Sequence, residues 1–422
     1  MGKANQRVWA EIDLGAIARN LRYAQVRVGR SVGILAVLKS NAYGHGAVEV
    51  AREAEAQGAK ALGVATPAEA IELRGAGIRL PILVIGSCLE GEVETAVEHD
   101  VSLSLSPGEV FWPIVEAARK LGKSARVHLL VDTGMSRDGL SPADALELAD
   151  HIADTPQVHL EGTYTHLATS LLADKTFCHT QLDRFNQVLT GLLSRDIHPG
   201  LIHCASTGGL FTLPSSHFDL VRQGISLYGL APSEHVASQA DLAPAMSVKS
   251  RVISVREIGP GESVGYLRLF VAERATRLAT VSMGYADGLR LALSNKGHVL
   301  INGRRAPMVG RVMMDCTVVD VTRLPGVRVG DEVVIIGKSG RNEITAGEVA
   351  ELCYSSLYEV VCSLGRRVKR IYTRNGKRVI PPGHNGLARK GLARKSLARK
   401  SLARKIAEDR ERLRRPTDIP AP

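Results

Sequence analysis

The chain places a lysine where its amine could act as a nucleophile. The apolar run Val32–Leu38 has the length and aliphatic content of a strand buried on both faces, and Lys39 follows it directly. Such a lysine has its stem in apolar packing, which can lower the pKa of the amine, and a neutral amine can form a Schiff base. On this stretch alone, the simpler interpretation is a lysine that reaches out of the strand end to solvent.

Further polar residues follow other apolar runs that read as strands. Eight such runs alternate with helix-like segments, a pattern typical of a (β/α)₈ barrel. They are Val32–Leu38, Ala61–Val64, Ile82–Ile85, Val101–Leu105, Val127–Val131, Val158–Thr165, Leu201–Cys204 and Phe218–Val221. An open doubly wound sheet fits less well, because no GxGxxG phosphate loop follows the first of these runs.

Near Pro244 the sequence pattern changes. Short strand-like segments, some with alternating apolar and polar residues, are separated by Gly/Pro turns, and one helix is predicted to start at Thr345. We therefore predict an α/β protein with an N-terminal (β/α)₈ TIM-type barrel, a C-terminal mainly-β domain and a basic repeat tail. The expected boundaries are residues 1–245, 246–382 and 383–422. The tail contains four LARK repeats and is expected to be helical or disordered.

The composition narrows the function classes. Residues 383–422 hold twelve Lys/Arg and four Asp/Glu, so the rest of the chain carries only about +3 of the net charge of +11. That distribution, with 4% aromatic residues, argues against specific nucleic-acid binding, although the tail could contact an anionic surface. The six cysteines show no metal-ligand spacing. Without a signal peptide or a membrane-spanning run, we expect a cytoplasmic enzyme.

The polar residues that follow the predicted barrel strands would share one face, where barrel enzymes place their sites. They are Lys39, Arg137, His166, Ser206, Thr207 and Arg222. The segments Thr207–Gly209 and Gly224–Ile225 offer a hydroxyl and uncrowded backbone amides to a phosphate. A Schiff-base lysine beside a phosphate site suggests pyridoxal phosphate. The β domain adds two tyrosines next to glycines, Tyr266 and Tyr285.

With these features the chain resembles the bacterial alanine racemases from about Arg7 to Tyr372. The resemblance is carried by segments in family order: LKSNAYGHG (38–46), DTGMSRDG (132–139), GTYTHLA (162–168), VRQGISLYG (221–229), ESVGY (262–266), MGYADG (283–288), GRVMMD (310–315) and YEVVC (358–362). It implies an enzyme that interconverts L-alanine and D-alanine by a two-base mechanism and supplies D-alanine for peptidoglycan.

The resemblance also implies a head-to-tail homodimer with shared active sites. Lys39 would hold the cofactor and act as the base for D-alanine, and Tyr266 of the other subunit would act as the base for L-alanine. The other cofactor-binding residues would be Tyr43, His166, Thr207, Arg222, Gly224, Ile225 and Tyr358, with Arg222 against the pyridine nitrogen. Arg137, Met314, Tyr285 and Asp315 would bind the substrate.

Two alternatives remain open at this point. The first is a broader amino acid racemase that acts on serine, lysine or arginine with the same scaffold. The second is a pyridoxal phosphate carrier without catalysis, but such carriers lack the β domain that contains Tyr266.

Three positions depart from the family pattern. Ser40 replaces the alanine that commonly follows the cofactor lysine, and Thr207 supplies the phosphate hydroxyl that is usually a serine. Leu130 stands where many members have a modified lysine that fixes the carboxylate-binding arginine. We therefore expect Arg137 to need another anion, such as chloride, or to be held more loosely.

Overall fold

The computed structural model describes residues 6–106 and 108–380. Eight parallel strands close into a barrel in chain order. They are β2 (Gly33–Val37), β3 (Ala61–Val64), β4 (Ile82–Val84), β5 (Ser102–Leu105), β6 (Ala125–Leu130), β7 (Val158–Tyr164), β8 (Leu201–His203) and β9 (Leu220–Gln223). Each of the eight predicted apolar runs overlaps one of these strands, so the TIM-type barrel is confirmed.

One helix precedes the barrel strands, and one helix follows each of them in sequence. Those up to the end of the barrel are α1 (Leu14–Val28), α2 (Ala47–Ala56), α3 (Pro67–Gly75), α4 (Glu90–Glu98), α5 (Phe111–Leu121), α6 (Pro142–Ala153), α7 (Thr176–Leu193), α8 (Thr207–Thr212) and α9 (Glu234–Ala237). Several begin at side-chain caps: the hydroxyls of Thr66 and Ser141 accept hydrogen bonds from the first turns of α3 and α6. A proline occupies the first turn of both helices.

The C-terminal region is mainly β, as predicted. Its strands are β10 (Met246–Ile258), β11 (Ser263–Val264), β12 (Phe270–Val271), β13 (Thr276–Val281), β14 (His298–Ile301), β15 (Arg304–Pro307), β16 (Thr317–Asp320), β17 (Glu332–Ser339), β18 (Asn342–Ile344), β19 (Lys369–Arg374) and β20 (Lys377–Arg378). Within the described residues two α-helices accompany them, the predicted α10 (Ala346–Leu352) and a second that was not predicted, α11 (Leu357–Cys362). The predicted helix start at Thr345 is confirmed, because α10 begins at the next residue and the Glu348 amide donates to Thr345 Oγ1 at 3.0 Å.

The first strand of the chain belongs to the second sheet. β1 (Val8–Asp13) pairs antiparallel with β10 and parallel with β19. The predicted barrel domain, residues 1–245, includes this strand. The pairing instead places β1 in the sheet of the C-terminal region. The domain boundaries otherwise remain predictions.

Within the described residues, no helix is both long enough and apolar enough to cross a membrane. The LARK-repeat tail, and with it the predicted contact with an anionic surface, lies outside the described residues.

Candidate active site

A cavity of about 310 Å³ opens at the carboxyl ends of the barrel strands. Ten of the residues predicted for the site line it: Lys39, Tyr43, Arg137, His166, Ser206, Thr207, Arg222, Gly224, Ile225 and Tyr358. This is the face on which barrel enzymes carry their chemistry. The other four predicted residues, Tyr266, Tyr285, Met314 and Asp315, do not line this cavity.

Lys39 follows β2 and its side chain faces the cavity. Burial lowers the pKa of its amine, and the nearby guanidinium of Arg137 lowers that pKa further. Glu69 acts in the opposite direction but does not reverse the shift. The amine is therefore easier to deprotonate than an ordinary lysine, which a Schiff-base lysine requires.

The backbone after Lys39 forms a left-handed turn. Four consecutive residues without glycine, Ser40 to Tyr43, have φ between 50° and 54°. Each such residue costs about 1 to 2 kcal/mol relative to a right-handed conformation. The Ser40 amide donates to Glu69 Oε1 at 2.7 Å, and the Ala47 amide donates to Asn41 Oδ1 at 2.8 Å. These bonds hold the turn, which places both Lys39 and Tyr43 at the cavity.

Hydroxyls and backbone amides meet on the side of the cavity nearest β8 and β9. The Gly224 amide donates to Thr207 Oγ1 at 3.3 Å, and Ser226 Oγ lies 3.2 Å from the same atom. A Cβ at Gly224 would lie 3.3 Å from Tyr43 Oη and 3.8 Å from Thr207 Oγ1, so the missing side chain leaves space between these hydroxyls. Tyr358 packs beside Tyr43 with ring centroids 6.0 Å apart.

Arg222 is buried at the floor of the cavity. Its NH2 group donates to the Thr165 and Cys204 carbonyls at 2.7 and 2.8 Å and lies 3.1 Å from His166 Nδ1. Burial, together with the positive charge of Arg222, lowers the pKa of His166 to about 3, so this ring is neutral at pH 7. Because arginine only donates hydrogen bonds, His166 Nδ1 must accept and the ring proton must be on Nε2.

Arg137 has an anionic partner that the sequence analysis missed. Its Nε donates to Asp138 Oδ2 at 3.0 Å, and both residues line the cavity together with the buried Leu130. Asp138 therefore supplies an anion to Arg137 from the chain itself, and chloride binding at Arg137 stays a prediction. A carboxylate adjacent in sequence had given no signal, because charged neighbours are common in exposed loops.

These residues fit pyridoxal phosphate. The space at Gly224 between Tyr43 and Thr207 offers hydroxyl and amide donors of the kind that bind phosphate. Lys39 supplies an amine with a lowered pKa on the other side of the cavity. Arg222 NH1 and NH2 share their four N–H groups among five acceptors, and within the described residues no acceptor bonds to Nε, so that N–H remains for an acceptor such as a pyridine nitrogen.

A second cluster lies in the β domain. Tyr266 and Tyr285 line a separate cavity of about 290 Å³ with Leu291, Arg311, Val312 and Met313, and among the described residues none lines both cavities. Tyr266 is 68% exposed. Met314 is adjacent in the fold, because its carbonyl accepts a hydrogen bond from the Ala286 amide, and Asp315 pairs with Arg367 at 2.6 Å. One chain therefore holds the two predicted bases in separate clusters.

Comparison with known proteins gives a consistent family. Residues 12–232 match the family model "Alanine racemase, N-terminal domain", and residues 245–372 match "Alanine racemase, C-terminal domain". An alanine racemase of Symbiobacterium thermophilum is 43% identical over 364 residues, which cover 86% of this chain and 96% of that protein.

Solved structures agree. The alanine racemase of Clostridium difficile 630 superimposes with a TM-score of 0.85 and 33% identity, covering 89% of this chain and 97% of the other. The alanine racemase of Bacillus anthracis, solved with bound L-Ala-P, gives a TM-score of 0.83 and 35% identity, with 89% and 97% covered. The similarity thus spans both the barrel and the β domain.

Proposed function

The chain belongs to the alanine racemase family, and from this premise we propose that each active site combines the Lys39 cluster of one subunit with the Tyr266 cluster of a second. The protein is a pyridoxal phosphate-dependent racemase that interconverts L-alanine and D-alanine. D-alanine is a component of bacterial peptidoglycan, and its supply is the physiological role that we propose.

The separation of the two clusters carries the proposal of a shared site. Racemisation needs a proton taken from one face of Cα and one returned to the other, and therefore needs two acid/base groups that face each other. Lys39 and Tyr266 line two cavities that share no residue in the part of the chain that the structure describes. Around Tyr266 in sequence, Leu267, Leu269 and Val271 are also exposed. An exposed apolar patch beside a base favours a second copy of the chain as its cover.

The cofactor supplies an electron-withdrawing ring that acidifies the Cα hydrogen of the bound amino acid. Lys39 would hold it through the amine. Tyr43, Thr207, Gly224, Ile225 and Tyr358 would surround its phosphate.

Arg222 would donate from Nε to the pyridine nitrogen. Since an arginine does not release its proton, that nitrogen stays unprotonated and draws less electron density from the substrate. His166, neutral and bonded to Arg222, would hold the guanidinium in place.

At the substrate end, Arg137 would bind the alanine carboxylate, because a guanidinium offers two parallel N–H donors to a carboxylate. Asp138 occupies Nε of Arg137 and leaves NH1 and NH2 for this bond. Tyr285, Met314 and Asp315 would close the same end from the second subunit. Lys39 Nζ would then move the proton on the D face of Cα, and Tyr266 Oη would move it on the L face.

Hydrogen exchange in D₂O tests the assignment of the two bases. A Tyr266→Phe variant should incorporate deuterium at Cα of D-alanine, because Lys39 can remove and return the proton on that face. It should leave L-alanine unlabelled and produce no racemisation, whereas the wild type labels both enantiomers. Equal labelling of L-alanine and D-alanine by Tyr266→Phe would show that Tyr266 is not the base on the L face.

A further inference from the structure

A chain of hydrogen bonds leads from Arg222 through the inside of the barrel. Arg222 NH1 lies 2.7 Å from His203 Nδ1, and His203 Nε2 lies 3.0 Å from His128 Nδ1. His128 Nε2 lies 3.2 Å from Glu161 Oε2, to which Ser102 Oγ also donates. Both imidazoles are buried, and the chain ends beside the first residue of β5. None of His203, His128 and Glu161 lines the cavity.

The position of each proton follows from the first donor. Arg222 can only donate, so His203 Nδ1 must accept and the His203 proton must be on Nε2. That proton is then donated to His128 Nδ1, which places the His128 proton on Nε2. This second proton is donated to Glu161, which as a carboxylate can only accept. Every donor along the chain therefore points away from Arg222 and toward Glu161.

The pKa shifts of Glu161 and His203 agree with this order of protons along the chain. Burial works to raise the pKa of Glu161, but hydrogen bonds from His128 and Ser102 outweigh it and hold this pKa at about 2. Burial and the charge of Arg222 place the pKa of His203 well below its usual value. The chain thus joins a cation to an anion through His203 as a neutral ring, and Arg126 Nε flanks Glu161 Oε1 at 3.4 Å.

Two local features of β7 make room for the chain. The pairing of β6 with β7 shifts so that Leu160 faces Val127 and Gly162 faces His128, which leaves Glu161 as an extra residue in a bulge. A Cβ at Gly162 would lie 2.5 Å from His128 Nδ1. The bulge and the glycine together allow the His128 ring to lie between Glu161 and His203.

We propose that Glu161 is a positioning residue for Arg222, acting through His128 and His203 by fixing the proton order of both rings. The proposal rests on the placement of Arg222 against the pyridine nitrogen proposed above. If the acceptor at Glu161 is lost, the His128 proton has no partner and both rings can reverse. His203 would then present a proton on Nδ1 to the Arg222 NH1 protons, and this donor–donor contact would displace the guanidinium.

The proton order can be measured without reference to activity. In holoenzyme labelled with ¹⁵N-histidine, and assigned with His128→Asn and His203→Asn, both rings should show a protonated Nε2 and an unprotonated Nδ1. A protonated Nδ1 on either ring at neutral pH would overturn the proposal. This measurement needs no variant at Glu161, so it stands even if such variants fold poorly.

Three variants test the effect on the cofactor. Glu161→Leu removes the acceptor and should shift the absorption maximum of the bound cofactor and weaken its binding about tenfold. Glu161→Gln keeps an oxygen that can accept from His128 and should stay close to the wild type. Glu53→Gln, at another buried glutamate that is paired with Arg374 instead, controls for the loss of a buried ion pair and should change neither quantity.

An Arg222→Lys variant separates this proposal from the proposed function. Lysine keeps the charge but lacks the planar fork, so the absorption maximum should shift in this variant as in Glu161→Leu. A shift in Arg222→Lys without one in Glu161→Leu would overturn the role of Glu161 and leave the proposed function intact. No shift in either variant would show instead that Arg222 does not contact the pyridine ring.

Discussion

The carboxylate of Asp138 accepts a hydrogen bond from Arg137 Nε at 3.0 Å, at the edge of the cavity that holds Lys39. The same carboxylate lies 3.4 Å from Ser87 Oγ. The guanidinium is thereby held from one side, while its two terminal nitrogens are left for a substrate carboxylate. Leu130 stands at the position where a modified lysine was expected to fix this arginine. In this chain the acidic residue next to Arg137 contacts the guanidinium instead.

An Asp138→Ala variant should therefore bind alanine less well. Loss of this partly exposed ion pair should raise KM for L-alanine about fivefold and change kcat less, because Arg137 would lose its orientation but keep its charge. Sodium chloride should lower the raised KM again, since chloride can take the place of the carboxylate, and potassium gluconate at the same ionic strength should not. An unchanged KM, or an equal response of the wild type to chloride, would contradict this role of Asp138.

The left-handed turn after Lys39 makes a prediction about Ser40. Its side chain is exposed and its bond to Glu69 uses the backbone amide, so Ser40→Ala should change the free energy of unfolding by less than about 0.5 kcal/mol. Ser40→Val should cost about 1 to 2 kcal/mol, because a β-branched residue is strained at φ 54°. Urea unfolding of the two variants measures this difference. Equal stability of Ser40→Ala and Ser40→Val would show that the turn is not left-handed.

The neutral His166 predicts how stability depends on pH. Burial and Arg222 lower the pKa of this ring from 6.5 to about 3, so below pH 6.5 the unfolded chain binds a proton that the folded chain does not. The free energy of unfolding must therefore fall as the pH falls. For this one group the loss is about 2 kcal/mol between pH 7.5 and pH 5.

A His166→Asn variant should lose about 2 kcal/mol less than the wild type over that range. The comparison uses urea unfolding of cofactor-free protein at both pH values. His159→Asn, at an exposed histidine, serves as the control and should follow the wild type. If His166→Asn shows the same pH dependence as the wild type, the His166 ring is not held neutral in the folded protein.

The sequence predicted the barrel because each strand is an apolar run followed by a helix, and parallel strands buried on both faces leave that pattern. It also found Lys39, His166 and Arg222, since polar residues at strand ends stand out against apolar runs. The pairing of β1 with β10 and β19 could not be predicted in this way, because its partners lie more than 200 residues along the chain.

Two features of the site escaped prediction for a physical reason. The residues Ser40 to Tyr43 include no glycine that would indicate a positive φ, and distant groups such as Glu69 hold their conformation. His128, Glu161 and His203 interrupt apolar strands, but their mutual contacts depend on the bulge at Glu161 and on the closure of the barrel. Their one signal in the sequence is that three polar residues stand inside predicted strands.

The sharing of each active site between two subunits is tested most directly by mixing two inactive variants. Lys39→Ala and Tyr266→Phe, unfolded together and refolded, should regain about one quarter of the wild-type activity, because half of the random dimers are mixed and each mixed dimer has one intact site of two. A mixture of Lys39→Ala with Arg222→Ala, both in the barrel cluster, should regain none. If the first mixture also stays inactive while forming dimers, Lys39 and Tyr266 do not act across the subunit interface.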